Sequence, residues 1–290
     1  MTQVGWIGLG AMGRPMAARL LDGGHRVVGY DVDPAAVAAL GDGAEAAASP
    51  AEAAAGCDVL AVMVATGAQA DDVLFGNRGA APELRPGAVV LIMATVGPAV
   101  VQAIAARLAE QGVHLVDAPV SGGVARATTG ELLMMVSGPE EAVAAVAPLL
   151  DAMSSRAPVV GAAPGDGQKV KLVNQLLCGV HIAAAAEGLA YAEALGLDAE
   201  ACWEVIRHGA AASFMLDDRG SRMVHGAGEQ VKSALDIFVK DMGLVLAAAR
   251  ENVYPAPLAS VAEQLYLTGR RAGLGPADDS NLIEVLRGKR

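Results

Sequence analysis

The sequence of 290 residues predicts an α/β protein with a doubly wound parallel sheet followed by an all-helical C-terminal domain. Three observations lead to this class. Residues 3–31 read as strand, glycine turn, helix and strand. Short apolar strands then alternate with helical patterns up to about residue 160, which is typical of a parallel sheet covered on both faces. No strand pattern follows residue 164, so the predicted domains are 1–163 and 164–290, joined by a long interdomain helix.

The first strand, Val4-Gly5-Trp6-Ile7, runs directly into the turn G-L-G-A-M-G and then into a helical pattern. Gly8 permits a tight turn, Gly10 lets the backbone approach a pyrophosphate, and Gly13 lets the helix pack closely on the strand. With its flanking elements this is the fingerprint of a Rossmann-type, dinucleotide-binding domain. The predicted cofactor residues of this unit are Gly8, Gly10, Ala11, Met12, Gly13 and Asp31.

Asp31 ends the second strand, at the distance expected for a residue that binds the ribose. A carboxylate there accepts hydrogen bonds from a 2′-hydroxyl and repels a 2′-phosphate, and no arginine follows it. The sequence therefore predicts NAD as the cofactor in preference to NADP.

Later strands are predicted at 58–64, 88–93, 113–117, 132–137 and 157–160, with helices at 98–111 and 140–150. Ligands of such sheets bind beyond the carboxyl ends of the strands. Met63 and Thr95 lie at two of these ends and are predicted cofactor neighbours. For Thr95, a role as helix N-cap or turn residue is an equal alternative.

The segment D-A-P-V-S-G-G leaves the strand that ends at Asp117 as a predicted loop. The Ser121 hydroxyl and the backbone N–H groups of Gly122 and Gly123 are a set of donors suited to a carboxylate or carbonyl oxygen. A plain turn explains the same residues equally well.

One long helical pattern runs from Pro164 to Gly196 and is apolar around most of its circumference, so we expect it to be buried on most sides. Lys171 and Asn174 lie three positions apart and share a face. Burying polar side chains of a mostly apolar helix costs free energy unless they face a hydrated pocket or a hydrogen-bonding partner. Further helices are predicted at 199–207, 235–250, 258–268 and 280–286.

Composition narrows the classes of partner. The net charge of −11 argues against nucleic acid and anionic membranes. The three cysteines show no paired spacing and the five histidines no cluster, which favours a reducing cytoplasm and predicts no metal site. No secretory signal is recognisable at the N-terminus. No apolar run is expected to span a bilayer, because Asn174, Gln175, His181 and Glu187 interrupt the long helix.

Four motifs occur in a familiar order. They are G-L-G-A-M-G, the D-A-P-V-S-G-G loop with Gly130 after it, G-D-G-Q-K-V-K-L-V-N at Gly165–Asn174, and K-D-M-G-L at Lys240–Leu244. Together they resemble the β-hydroxyacid dehydrogenase family, which includes 3-hydroxyisobutyrate dehydrogenase, tartronate semialdehyde reductase and L-threonate dehydrogenase. The segment Asn174–Glu187 is most similar to the L-threonate dehydrogenase branch.

The resemblance implies reversible hydride transfer between NAD and a short-chain hydroxycarboxylic acid, such as 3-hydroxyisobutyrate or L-threonate. It implies Lys171 as general acid and base, Asn174 beside it on the substrate, and Lys240 at the nicotinamide end of the cofactor. It also implies that Ser121, Gly122 and Gly123 bind the substrate carboxylate. Many members have a proline soon after the fourth strand, where this chain has Val64-Ala65-Thr66.

Several alternatives stay open. A semialdehyde or glyoxylate reductase uses the same chemistry in reverse. An imine reductase shares the scaffold but generally replaces the lysine, and a non-catalytic NAD-binding protein tends to lose the lysine or the serine loop. His181 lies on the lysine's stripe and is expected to be a core histidine in preference to a substrate contact. The apolar helices of the second half predict a homodimer or homotetramer.

Overall fold

The computed structural model describes residues 2–41, 43–228 and 231–288. It comprises two compact units, Met1–Lys171 and Leu172–Arg290. The boundary predicted at the Ala163-Pro164-Gly165 turn lies just before a helix, Asp166–Ala194, and the division between the units falls within that helix.

The strands of the described residues are β1 (Gln3–Ile7), β2 (Arg26–Tyr30), β3 (Ala44–Ala46), β4 (Val59–Val62), β5 (Val89–Ile92), β6 (His114–Asp117), β7 (Val120–Ser121), β8 (Leu132–Met134), β9 (Val136–Ser137), β10 (Ser154–Arg156) and β11 (Val159–Gly161).

The α-helices are α1 (Gly13–Asp22), α2 (Pro34–Ala38), α3 (Pro50–Ala54), α4 (Gly67–Phe75), α5 (Pro98–Ala109), α6 (Gly123–Thr129), α7 (Glu140–Met153), α8 (Asp166–Ala194), α9 (Ala199–Ile206), α10 (Phe214–His225), α11 (Leu235–Glu251), α12 (Pro257–Arg271) and α13 (Leu282–Arg287). Two 3₁₀ turns, Ala81–Glu83 and Asp279–Asn281, complete the set.

The main sheet has eight strands in the order β11-β9-β6-β5-β4-β1-β2-β3. Its pairs are parallel except β6 with β9, which is antiparallel. Because β1 lies between β2 and β4, the strand order reverses beside β1, and such a switch point is where ligands of open α/β sheets bind. This confirms the predicted doubly wound sheet.

The region 117–137 differs from the prediction. Val120 and Ser121 form a short strand in the segment predicted as a loop, and pair with β8. The strand predicted over 132–137 is two strands, because Met135 donates from its backbone to Pro119 while the next residue joins the main sheet. The loop is therefore anchored by a small second sheet, β10-β8-β7.

Both faces of the main sheet are covered, as its sequence pattern predicts. Alternate residues of β4 and β5 enter two separate apolar clusters: Val59 and Leu91 belong to one, Leu60 and Ile92 to the other. Trp6 is fully buried in the first cluster, and its indole nitrogen donates to the Gly8 carbonyl at 2.9 Å. Strands buried on both faces are continuous apolar runs, and this explains why they were recognisable in the sequence.

The second unit is helical, as predicted. Its core contains Phe238 stacked on Tyr266 with ring centroids 5.4 Å apart. Helix α10 was not predicted, because glycine and charged residues interrupt its pattern. Gly220 allows this helix to pack closely against Trp203, because a Cβ at this position would lie 2.4 Å from the ring.

The surface of α8 has one exposed stripe. Val173, Leu177 and Tyr191 are exposed along it, and the helix is buried or half-buried over most of its circumference, as expected. By length and composition, α8 is also long and apolar enough to cross a membrane, the one such helix among the described residues. One such helix is weak evidence for a span, because the core helices of water-soluble proteins pass the same test, and the expectation that α8 does not cross a bilayer stays a prediction.

Candidate active site

The carboxyl ends of five strands form one edge of the main sheet. Ile7 at the end of β1 is in register with Tyr30 of β2 and Val62 of β4. Val62 is in register with Ile92 of β5, and Ile92 with Asp117 of β6. The predicted cofactor residues of the first unit that follow these ends are Gly8, Asp31, Met63 and Thr95.

The three glycines of the first turn have different surroundings. Gly8 has a φ of +92°, and a Cβ there would lie 2.4 Å from the Met63 carbonyl oxygen. A Cβ at Gly13 would lie 2.0 Å from the Gly8 carbonyl oxygen, so α1 can approach β1 only with glycine here. A Cβ at Gly10 would meet nothing within 4 Å. The backbone at Gly10 therefore borders open space, whereas the other two positions are closely packed.

Ala11 and Met12 complete this turn before α1. Met12 is the N-cap residue of α1, and its side chain makes no capping hydrogen bond. An uncapped helix start presents backbone N–H groups and the positive end of the helix dipole. A phosphate at this position would meet both.

The Asp31 carboxylate is held by backbone donors. Its Oδ2 accepts from the Leu9 amide at 2.6 Å and its Oδ1 from the Asp33 amide at 2.9 Å. Each oxygen keeps a second lone pair for a further donor. Val32 between the two acids is 88% exposed and supplies no positive charge. The open space at Gly10 and this carboxylate together fit a nicotinamide dinucleotide.

Asp117 has a role that its sequence position did not reveal. Its carboxylate is fully buried and accepts from the Ser137 hydroxyl, from the Gly165 amide at 2.8 Å and from the Gln168 amide at 2.9 Å. Ser137 in turn accepts from the Gly167 amide at 2.9 Å. Burial raises the pKa of Asp117, and these hydrogen bonds oppose that rise. A carboxylate from β6 therefore caps the start of α8.

Gln168 ties the same helix start to the loop after β5. Its Oε1 accepts from the amides of Val96 and Gly97, both at 3.0 Å, and its Nε2 donates to the Ala94 carbonyl at 3.0 Å. Thr95 lies within this clamped loop. This link has no local sequence signal, because glutamine carries no distinctive pattern and its partners lie more than seventy residues away.

Lys171 follows Gln168 on α8 and is 6% exposed. Lys169, the other lysine of this turn, is exposed and its Nζ lies 2.8 Å from the Asp166 carboxylate. The two lysines therefore differ: Lys171 is buried, whereas Lys169 is exposed beside Asp166.

The predicted substrate loop combines strand and helix. Ser121 ends β7 and is half-buried. Gly122 and Gly123 have φ values of +138° and +67°, which side chains rarely adopt, and a Cβ at Gly123 would meet nothing within 4 Å. The backbone N–H groups here precede the first turn of α6, a setting suited to an anion. Binding of a carboxylate by this loop stays a prediction.

In the second unit, four polar side chains form a chain of contacts. Asn174 Nδ2 donates to Gln175 Oε1 at 2.8 Å, and Gln175 Nε2 donates to Asp241 Oδ2. Lys240 Nζ lies 2.7 Å from Asp241 Oδ1. Asp241 is only 2% exposed, so its carboxylate is buried beside Gln175 and Lys240. Asn174 and Lys240 were predicted, and their connectors were missed.

His181 lies on the exposed side of α8. The expectation that it is a core histidine on the stripe of Lys171 is wrong, because Lys171 is buried whereas His181 is exposed.

Two family models match this chain, one in each half. The family model described as the NAD binding domain of 6-phosphogluconate dehydrogenase matches residues 3–161. The model described as NAD-binding of NADP-dependent 3-hydroxyisobutyrate dehydrogenase matches residues 165–286. The two models together span most of the chain. They show that it binds a nicotinamide dinucleotide, without deciding between NAD and NADP.

Individual relatives agree with the family models. The L-threonate dehydrogenase of Cupriavidus necator is 45% identical over 286 residues, covering 98% of this chain and 96% of that protein. The L-threonate dehydrogenase of Escherichia coli K12 is 39% identical over 287 residues, covering 98% and 95%. A crystal structure of 3-hydroxyisobutyrate dehydrogenase from Salmonella typhimurium has a TM-score of 0.90 at 41% identity, covering 98% of this chain and 100% of that one.

Imine reductase from Pseudomonas sp. is 23% identical with a TM-score of 0.63, a likeness of fold alone. With the two matching family models and the relatives above, the sequence resemblance is confirmed: the chain belongs to the β-hydroxyacid dehydrogenase family of 3-hydroxyisobutyrate dehydrogenase-like oxidoreductases, in its L-threonate dehydrogenase branch.

Proposed function

We propose that this protein is an NAD-dependent dehydrogenase of a short-chain sugar acid, L-threonate or a close relative, with Lys171 as general acid and base. The observation that carries the proposal is the buried Lys171 on the first turns of α8, a helix start clamped to the carboxyl edge of a dinucleotide-binding sheet.

The preference for NAD rests on Asp31. Its carboxylate is fixed by two backbone donors, so it is preorganised to accept from the ribose hydroxyls. A 2′-phosphate would meet this carboxylate and that of Asp33 with no arginine after either. Like-charge repulsion therefore disfavours NADP. Gly8, Gly10, Ala11, Met12 and Gly13 would hold the pyrophosphate, with Met63, Thr95 and Lys240 as further contacts.

The substrate class rests on the relatives. The similar proteins named above as L-threonate dehydrogenases match over nearly their whole length. L-Threonate is therefore the first candidate substrate, and 3-hydroxyisobutyrate, tartronate semialdehyde and glyoxylate are the others to be tested. Ser121, Gly122 and Gly123 would bind the carboxylate that all of these acids share.

The chemistry divides between the cofactor and the chain. A bound nicotinamide would supply the acceptor for the hydride of the substrate carbon. Lys171 Nζ takes the hydroxyl proton as the general base of the oxidation. Asn174, three residues on and on the same face of α8, contacts the substrate beside it. The loop at Ser121 fixes the carboxylate, and orientation of this kind lowers the barrier by several kcal/mol, roughly.

A spectroscopic screen tests the proposal. NAD reduction is followed at 340 nm with three- and four-carbon hydroxyacids, the reverse reaction with the corresponding semialdehydes and oxoacids, and imine reduction with cyclic imines. We expect the highest kcat/KM with L-threonate and NAD. Activity with cyclic imines alone, or no turnover with any of these compounds, would contradict the proposal. The second result would support a non-catalytic NAD-binding protein.

We also propose a homodimer or homotetramer built on the exposed stripe of α8. Val173, Leu177, Tyr191 and Leu195 recur at helical spacing. A Cβ at Gly188 within this stripe would meet nothing within 4 Å, so a second copy of the helix can approach closely. Light scattering should give a multiple of 29.2 kDa, and Tyr191→Asp should lower it. A monomeric wild type would contradict this. A cytoplasmic location, checked by cell fractionation, completes the proposal.

A further inference from the structure

Gln168, on the first turn of α8 and within the first unit, carries an inference beyond the proposed family reaction. Its side chain is fully buried and binds three backbone groups of the loop after β5. Oε1 accepts from the amides of Val96 and Gly97, and Nε2 donates to the Ala94 carbonyl, all at 3.0 Å. Glutamine combines the acceptor and the donor that this loop needs in one side chain, a pair that methionine and ionised glutamate do not offer.

The backbone of the same residue is held from another strand. The Gln168 amide donates to Asp117 Oδ2 at 2.9 Å, and the Gly165 amide donates to Asp117 Oδ1 at 2.8 Å. This carboxylate fixes where α8 begins. A second tether, away from the helix axis, is needed to fix the rotation of the first turn about that axis. The bonds of the Gln168 side chain to the β5 loop are such a tether.

The rotation of this turn decides where the Lys171 amine lies. Lys171 follows Gln168 by three positions, so it is about 4.5 Å further along the axis and on a neighbouring face. Its side chain is 6% exposed. Side chains end about 6 Å from a helix axis, so a rotation of about 10° moves such an end by roughly 1 Å. A displacement of this size at a reacting group lowers a rate by up to about a hundredfold.

The loop at the other end of the tether carries Thr95, a cofactor contact in the proposed function. Thr95 lies between Ala94 and Val96, both of which Gln168 binds. One side chain therefore holds the loop of a cofactor contact and the helix turn of the proposed base. We infer that Gln168 is a positioning residue for proton transfer, which fixes Lys171 Nζ relative to the loop 94–97. This inference rests on the proposed function and adds a residue that acts through Lys171.

The test measures kcat at saturating NAD with the best hydroxyacid of the screen above. Gln168→Met keeps the length of the side chain and removes its three hydrogen bonds. With Lys171 present, it should lower kcat about ten- to a hundredfold. In a Lys171→Ala background the base is already gone, so the same change should lower kcat by less than about twofold. A purely structural role would give the same fold-change in both backgrounds.

The solvent isotope effect is a second readout. A displaced base slows proton transfer, so the ratio of kcat in H₂O to kcat in D₂O should rise in Gln168→Met above the wild-type value. A smaller folded fraction lowers kcat but leaves this ratio unchanged. Ser49→Ala is the matched control, because Ser49 is 3% exposed and accepts from the Glu52 amide at 3.2 Å at the start of α3. It removes a buried hydrogen bond of the same unit and should keep both kcat and the ratio.

Gln168→Glu decides if Gln168→Met does not fold. Glutamate keeps an oxygen for the amides of Val96 and Gly97 and, when ionised, loses the bond to the Ala94 carbonyl. It should lower kcat about threefold or more with Lys171 present and leave it unchanged in Lys171→Ala.

The outcomes separate the two proposals. Equal fold-changes with and without Lys171 would overturn this inference alone, because Gln168 would then not act through the lysine. Wild-type kcat in the folded Gln168 variants, or an unchanged isotope ratio, would overturn it as well. A wild type with no turnover of any hydroxyacid, or full turnover in Lys171→Ala, would instead refute the proposed function.

Discussion

Gln168 is fully buried and binds three backbone groups of the loop after β5. Replacing it with methionine keeps a side chain of similar length and removes all three hydrogen bonds. The amides of Val96 and Gly97 and the carbonyl of Ala94 are then left without this partner. An unsatisfied buried group costs about 1–3 kcal/mol, so Gln168→Met should lower the free energy of unfolding by about 3 kcal/mol or more.

Urea unfolding followed by circular dichroism measures this loss, with unchanged m values required for the comparison. Gln111→Met is the control, because Gln111 is exposed and should change stability by no more than about 0.5 kcal/mol. A loss below about 1 kcal/mol in Gln168→Met would refute the reasoning that this side chain clamps the loop to α8.

Gln168→Glu sharpens the same prediction. Glutamate keeps an oxygen for the amides of Val96 and Gly97, but it donates to the Ala94 carbonyl only when it is protonated. Its pKa in the folded state should therefore lie above its unfolded value. The contribution to stability is then complete below the unfolded pKa and is lost as pH rises through the folded pKa. A variant whose stability tracks that of the wild type from pH 4 to pH 8 would contradict this.

Three further predictions concern the cofactor loop and the C-terminal unit. Gly10→Ala should keep wild-type stability and raise the Kd for NAD by roughly tenfold or more, because its Cβ would enter the space next to the bound pyrophosphate. Gly13→Ala should unfold at a lower temperature, because its Cβ would collide with the Gly8 carbonyl oxygen. Equal melting temperatures of the two variants would contradict this. Asp31→Ala should lower the ratio of kcat/KM for NAD over NADP about ten- to a hundredfold, and an unchanged ratio would remove Asp31 from cofactor selection. Burial would raise the pKa of Asp278, yet hydrogen bonds from Ser280 and Arg222 hold it at about 2. The ionised Asp278 therefore contributes about 2 kcal/mol to the free energy of unfolding above about pH 4, and this contribution is lost as the pH falls towards about 2. Asp278→Asn should lower the free energy of unfolding at pH 7. In urea titrations at several pH values, it should also weaken the decrease of stability below about pH 4.

Much of the fold was predictable because its signals are local. Strands such as Val59–Val62 are buried on both faces and read as apolar runs, and the glycine turn has its strand and helix on either side. The elements that were missed have weak local patterns. Helix α10 is polar and contains Gly220, which is needed for packing against Trp203 and not for a turn.

The residues of the candidate site were likewise predictable where they belong to local motifs. Gly8, Asp31 and Lys171 belong to motifs with fixed spacing, and they could be named from the sequence. Asp117 and Gln168 were not identified as anchors of α8, because their partners are distant in sequence and no spacing rule connects them. The burial of His181 was misjudged for a related reason: helical periodicity indicates a face of a helix but not what covers that face.

The proposal depends most on proton transfer by Lys171. The direct measurement is kcat for L-threonate oxidation by Lys171→Ala, with NAD binding determined separately by calorimetry. Lys169→Ala is the matched control, because this neighbouring lysine is exposed and paired with Asp166. We expect kcat to fall by about a hundred- to ten-thousandfold in Lys171→Ala with the Kd for NAD unchanged, and to stay near the wild-type value in Lys169→Ala. Full turnover in Lys171→Ala would contradict the assignment of this lysine as general acid and base.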